Sequence, residues 1–398
     1  MASSLRKLSV PFLLLILFLF FLLSQTTFTI LPPSPLISEN VNATTNSTTV
    51  DVSMDETMPS FHISPSPPPA PPVNTSRDKK ETSLRLVKLL LRKTPRTRQF
   101  AERAADLFEQ QQRPCTHRFF MTWLSPLQFG RREPLVIETL FRWHPDACLL
   151  IASHSMDSAG GTDRLRPFLD RGFRIAAASP DMAYLLDGTP AEGWLDKVSR
   201  GEVSPGSIPF GQNLSNLLRL ALLYRYGGVY MDADVVILRP LTGLRNAIGA
   251  QAVDAATGDW ILLNNAVLVF DQGHPMLREF IAEFTATFNG DKWGHNGPDM
   301  VSRVADRVRH QMPELGVTVL PPKAFYPVDW MNVGVLFVAP KDGNGKMWVK
   351  AKMDEIKGES FGIHLWNKES KSLQMVDGSV IGGLISQGCL FCNFSTGL

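Results

Sequence analysis

Apolar positions along this chain change period several times, and each change marks an element. Met276, Leu277, Phe280, Ile281, Phe284 and Phe288 recur at helical spacing and predict a helix over 274–288 with one buried side. Residues 213–226 are more extreme: Leu217, Leu218, Leu220, Ala221, Leu222, Leu223 and Tyr224 leave almost no polar face. A helix of that kind lies inside a core. Gly227 and Gly228 follow it and supply the left-handed residue that ends such helices. Residues 229–238 are then β-rich and predict a strand. Further strands are expected at 118–124, 147–152, 173–177 and 264–270, with helices at 133–142 and 165–171. Strand–helix alternation from residue 115 onward predicts an α/β fold around a mainly parallel sheet. Ligands of such sheets bind at the carboxyl ends of the strands.

Polar residues that interrupt these apolar runs are the candidates for chemistry. Asp232 and Asp234 fall within the 229–238 run, and strand alternation would point both to one face. Two converging carboxylates with no basic residue between them suit a divalent cation. Arg219 is the one cation within the apolar part of the preceding helix and must have a partner, either a structural carboxylate or a bound anion. Asn216, three residues earlier, shares its face. Asn213 begins the helix and is expected to cap it, so its glycosylation sequon is expected to stay unmodified. The segment 362–366 alternates like a strand, which points His364 and Trp366 to one side. His295 and Asn296 sit in a glycine-rich loop where backbone can approach a ligand.

The N-terminal third has a different character. Arg6 and Lys7 precede an apolar run from Val10 to Leu23, and residues 10–31 carry no charge. This reads as an uncleaved membrane anchor with residues 1–9 in the cytosol and the rest of the chain lumenal. Residues 32–95 are rich in Pro, Ser and Thr, hold sequons at Asn42, Asn46 and Asn74, and read as an extended glycosylated stalk. Leu84, Val87, Leu90 and Leu91 make a helical stripe among basic residues, read as a solvated amphipathic lead-in, and a lead-in helix is assigned to 96–114. Residues 115–398 form the remaining domain. The net charge of +2 gives no footprint for nucleic acid. Cys115, Cys148, Cys389 and Cys392 are expected to form structural disulfides in an oxidising lumen, with three pairings open.

The order of short motifs carries more. Residues 119–123 (Phe-Phe-Met-Thr-Trp), 144–148 (His-Pro-Asp-Ala-Cys), 179–182 (Ser-Pro-Asp-Met), 215–240 with Asp232 and Asp234, 264–270 (Asn-Asn-Ala-Val-Leu-Val-Phe), 293–298 (Trp-Gly-His-Asn-Gly-Pro), 324–327 (Ala-Phe-Tyr-Pro) and 364–368 (His-Leu-Trp-Asn-Lys) follow one another. In this order the chain resembles the α-1,4-glycosyltransferases with an Asp-x-Asp sugar-binding region, glycosyltransferase family 32 and the lactosylceramide galactosyltransferase relatives, in particular their plant members.

That resemblance implies a GT-A nucleotide-sugar-binding fold behind an N-terminal transmembrane helix in the Golgi membrane. It implies a retaining hexosyltransferase that moves galactose or N-acetylglucosamine from a UDP-sugar to a glycan, glycolipid or glycoprotein, forming an α-1,4 linkage. By resemblance Asp234 coordinates Mn2+ (or Mg2+), Asp232 contacts the ribose or the ion, and His364 supplies a third ligand. Trp123 would stack on the base, Asn216 and Arg219 would meet the donor sugar or its phosphate, His295 and Asn296 would line the sugar or acceptor site, and Trp366 would lie against the diphosphate. Trp123 and Trp366 also have a plain reading as core packing. Asn216 stands where relatives often carry Asp, which leaves the sugar open. No carboxylate is clearly placed as a nucleophile, Asp299 and Asp329 being the candidates, so front-face attack assisted by the leaving phosphate is expected. Two other functions fit parts of the pattern: a non-catalytic glycan-binding or scaffold protein, and a metal-dependent phosphatase with the same strand-plus-Asp-x-Asp signature. The phosphatase lacks its later acidic pair.

Overall fold

A computed structural model describes residues 76–109 and 115–391. The anchor expected over 10–31, the sequons at Asn42, Asn46, Asn74 and Asn393, and Cys392 lie outside the described residues. Among those described, no helix is long and apolar enough to cross a membrane.

Helices α1 (Ser76–Leu91), α2 (Pro95–Arg98) and α3 (Phe100–Phe108) come first. Then follow β1 (Arg118–Thr122), α4 (Arg132–Trp143), β2 (Cys148–Ala152), α5 (Ala159–Leu169), β3 (Arg174–Ala178), α6 (Met182–Leu186), α7 (Trp194–Arg200) and α8 (Phe210–Tyr226). The middle of the domain holds β4 (Gly228–Met231), β5 (Val235–Ile237), β6 (Ala247–Val253), β7 (Trp260–Phe270), α9 (Pro275–Thr287), α10 (Pro298–Gln311) and β8 (Thr318–Leu320). The chain closes with α11 (Gly343–Glu359), β9 (Gly362–His364), α12 (Asn367–Ser370) and α13 (Val380–Gly388).

Seven strands form one sheet in the order β3-β2-β1-β4-β7-β6-β8. Only β7 runs against the others, so the sheet is mainly parallel as the alternation predicted. Both faces are covered, which is why its strands are apolar on successive residues. Phe119 and Met121 of β1 join one core with α4 and α5, while Phe120 joins the other with α8, α9 and α10. A disulfide between Cys115 and Cys148 ties the entry of β1 to the start of β2, and Cys389 is disulfide-bonded as well.

Several expectations change. The segment assigned to the stalk reaches residue 95, yet α1 occupies Ser76–Leu91 and buries Val87 and Leu90 in the core. The lead-in divides into α2 and α3, with Phe100, Ala104, Leu107 and Phe108 buried rather than solvated. Helix α8 starts three residues before Asn213, which is therefore an interior helical residue and not the cap. The expected strand 229–238 is two strands. β4 ends at Met231, the chain turns through Asp232–Asp234, and β5 leaves the main sheet to pair with β9 in a separate two-stranded ribbon.

Candidate active site at the carboxyl end of β4

Helix α8 and strand β4 place the first half of the site. Gly227 ends the helix at φ +62° and lets the backbone enter β4 directly, in close contact with the chain at Gln272. Asp232 follows β4, and its N–H is held by the Ala266 carbonyl of β7 at 2.8 Å. The turn after it is closed by the Val235 N–H on the Asp232 carbonyl. Asp232 and Asp234 thus come together through a turn, not through strand alternation. The second half arrives from far along the chain. β9 pairs antiparallel with β5 in a register that sets His364 opposite Val235, one residue after Asp234. The Leu365 N–H also binds the Asp234 carbonyl at 2.9 Å.

Asp232 is held mainly by the protein itself. Arg219 reaches it at 3.1 and 3.3 Å, and the Tyr230 hydroxyl donates to it at 2.6 Å. The Arg219 guanidinium also binds the Asn265 carbonyl at 2.5 Å, contacts Ser215, and lies 4.4 Å from the Tyr230 ring centre. Burial would lower the Arg219 pKa, but the charge of Asp232 leads the opposing effects and leaves it raised. Of the two partners left open for Arg219, the carboxylate is therefore the one found, and it belongs to the Asp-x-Asp motif. Its donors are engaged by Asp232, Asn265 and Ser215. Tyr230 is fully buried and is kept protonated chiefly by that burial; Thr122 at the end of β1 lies 2.9 Å from its hydroxyl.

Asp234 and His364 form the second pair. Both are nearly buried, with 7 % and 9 % exposure, and His364 Nε2 lies 3.3 Å from Asp234 Oδ1. The other carboxylate oxygen accepts the Asn367 N–H at 2.8 Å. Burial raises the Asp234 pKa, but the His364 charge and hydrogen bond, the Asn367 N–H and the Arg132 charge outweigh it and hold the carboxyl below its ordinary value. For His364 burial lowers and Asp234 raises, and the net shift is upward. The two partners' shifts agree.

A fit to a divalent cation follows from the donors. Asp232, Asp234 and His364 each offer a ligand atom, and these atoms all lie within 4.8 Å of one another. His364 Nδ1 is buried without a hydrogen-bond partner. Carboxylate oxygens suit Mn2+ and Mg2+, and an added imidazole favours the former. Trp366 stands beside His364 with ring centres 4.3 Å apart, although it follows the strand in a left-handed conformation, φ +52°. Its indole N–H binds the Val328 carbonyl.

The remaining candidates divide. Asn216 accepts the Asn265 side-chain amide at 2.9 Å and faces Gly297, where an added Cβ would come within 3.1 Å of its oxygen. This half-buried amide borders the Arg219–Asp232 pair through Asn265. Trp123 follows β1 and lies edge-on to Phe129, its N–H bound to the Leu127 carbonyl. Asn296 is only 2 % exposed, and its amide is engaged by Asn213 and Asn289. These bonds tie the 289–296 loop to α8. His295 bonds through Nε2 to the Thr287 carbonyl at 2.8 Å, again tying the loop to α9. Asp329 accepts from the Met331 and Asn332 N–H groups and the Asn332 amide, which occupies both its oxygens.

Sequence reasoning missed Tyr230, Asn265, Asn367 and Arg132. Tyr230 had a signal, since a buried tyrosine two residues before an aspartate shares its face and its hydroxyl needs a partner. Asn265 is a polar residue in an apolar strand. Arg132 had none, because its partners are far along the sequence.

Comparison with known proteins finds two family regions in the chain. Residues 130–254 match the family described as glycosyltransferase sugar-binding region containing DXD motif, and residues 269–395 match alpha 1,4-glycosyltransferase conserved region. Lactosylceramide 4-alpha-galactosyltransferase of Pongo pygmaeus is 30% identical over 199 residues, which cover 48% of this chain and 82% of that one. The Rattus norvegicus protein of the same name is 31% identical over 60% of this chain and 64% of its own length. An uncharacterized Arabidopsis thaliana protein is 30% identical over 70% of this chain, and the match spans 42% of that protein.

Proposed function

This chain belongs to the α-1,4-glycosyltransferase family with a DXD sugar-binding region, and from that premise we propose that it is a retaining, divalent-metal-dependent glycosyltransferase of the GT-A kind. It moves galactose or N-acetylglucosamine from a UDP-sugar to a glycan, glycolipid or glycoprotein acceptor and forms an α-1,4 linkage. The observation that carries the reading is the convergence of Asp232, Asp234 and His364 at the carboxyl end of β4. Asp234 and His364 would hold the cation, with Asp232 beside it. The ion supplies stabilisation for the negative charge that grows on the departing diphosphate.

The chain's own residues prepare that site. Arg219 and Tyr230 fix one Asp232 rotamer, which leaves that carboxylate oriented for a ribose hydroxyl or the ion's outer edge. Asn216 presents an amide at the sugar side. Trp123, directly after β1, would meet the base, and Trp366, beside His364, would wall the site. Asp329 is engaged by its own turn, which argues against that residue as a nucleophile and leaves Asp299 the alternative to front-face attack. The uncharged run at 10–31 supports a single-pass anchor in the Golgi membrane with the domain lumenal.

UDP release from UDP-galactose and UDP-N-acetylglucosamine, measured with Mn2+ or with EDTA, tests the reading. Release with one donor that needs the metal and falls by roughly 10²–10³ in Asp234→Asn is the expected outcome. No release from either donor across a panel of glycan acceptors would overturn it in favour of a non-catalytic glycan binder. Digestion of the domain by protease added outside sealed vesicles would overturn the lumenal placement.

A further inference from the structure

Arg132 opens helix α4, 102 residues before Asp234, and it is nearly buried at 9 % exposure. Its four hydrogen bonds all go to one short segment near the end of the chain. Nη1 donates to Asn367 Oδ1 at 2.6 Å and to Ser370 Oγ at 2.9 Å, and Nη2 donates to the Ser370 and Leu373 carbonyls at 2.8 and 3.0 Å. That segment includes α12, whose first residue gives its backbone N–H to Asp234 Oδ2 at 2.8 Å. The Ser370 hydroxyl closes the ring by donating to the Leu365 carbonyl. A planar guanidinium with four fixed bonds holds a turn in one place, which an ammonium cannot do.

We propose that Arg132 is a positioning residue for the cation site: it fixes the α12 turn so that the Asn367 N–H holds one oxygen of Asp234 and leaves the other beside His364. This rests on the reading of Asp234 and His364 as cation ligands. A turn of four residues has little stability of its own, so without Arg132 the Asn367 N–H drifts and Asp234 loses its orientation. Partners of this kind outside the ligands change metal affinity by about 10–100-fold.

The test is direct binding of Mn2+ to the full-length protein, read from the free-ion EPR signal with UDP present, alongside thermal melts without metal. Arg132→Met is expected to raise the Mn2+ dissociation constant by about 10-fold or more, with Arg132→Lys recovering little of it. Asn367→Ala keeps the backbone N–H but cuts its tie to Arg132, and a rise of about 3-fold or more is expected there. Asn367→Ala also serves if Arg132→Met fails to fold. A folded Arg132→Met that melts lower yet binds Mn2+ within twofold of the native protein would overturn the proposal and leave a purely structural arginine. The same follows if Asn367→Ala binds Mn2+ unchanged. A native protein that binds no Mn2+ while still binding UDP would sink the cation reading itself, a result distinct from either variant's.

Discussion

Replacing Arg219 with methionine removes the cation between α8 and Asp232 while keeping a straight apolar stem in the helix. Two losses follow. Asp232 keeps the Tyr230 hydroxyl but loses its countercharge, and the Asn265 carbonyl loses its 2.5 Å donor. Breaking a fully buried pair costs about 3–5 kcal/mol. The Asp232 side chain is 28 % exposed, so water recovers part of its solvation. The net expectation is a loss of about 3 kcal/mol, the carbonyl accounting for about 1 of it. Asp232→Asn strands the opposite charge, and the Arg219 side chain is only 5 % exposed. That variant should therefore be at least as unstable as the first. The double variant removes both charges, so it should be more stable than the sum of the singles implies, by about 2 kcal/mol. Urea unfolding of the three variants measures this. Additive losses within about 0.5 kcal/mol, or a native-like Arg219→Met, would show that the pair does not organise the site as argued.

His144 gives a pH signature. Burial first, and then the neighbouring His117 charge, push its pKa down to about 4, and its Nε2 accepts the Leu241 N–H at 3.2 Å. The unfolded chain takes up this proton near pH 6.5, so stability is intact above that value and falls as pH drops toward 4, by about 3 kcal/mol in all. His144→Gln should flatten that limb in melts taken between the two values; an unchanged profile would refute it. Replacing Cys115 and Cys148 together with alanine opens a link between residues 33 apart, and the chain-entropy estimate is a loss of about 3–4 kcal/mol. A melting temperature unaltered by the replacement would count against a structural bond. Gly227→Ala should cost about 2 kcal/mol or more through its φ of +62° and a collision with the Gln272 backbone. A variant as stable as the native chain would show that this junction relaxes.

Local chemistry was legible in the sequence wherever one element decided it. The α9 stripe from Met276 to Phe284 is buried as its spacing predicted, and Gly227 does end α8. His364 lies beside Asp234, which the alternation of 362–366 and the family resemblance suggested. What failed depended on a partner element. Val229–Leu238 reads as one apolar strand because nothing within it shows that its second half pairs with β9 instead of the main sheet. Asn213 resembles a cap only while Phe210–Gln212 are left out of the helix. Arg132 looks like an ordinary surface arginine until α12 is folded against it.

The ribbon of β5 and β9 also sets when the site comes into being. Asp234 and His364 are 130 positions apart, an interval of roughly 6–26 s at ordinary rates of chain elongation. During that time the motif's carboxylates and the edge Val235-Val236-Ile237 are already made, while the strand that covers them is not. An apolar edge waiting for its partner is a template for the wrong one. A ribosome that stops between residues 321 and 360 leaves a chain with every strand of the seven-stranded sheet but an open ribbon and no site. Early termination should therefore yield an aggregating product rather than a weak enzyme.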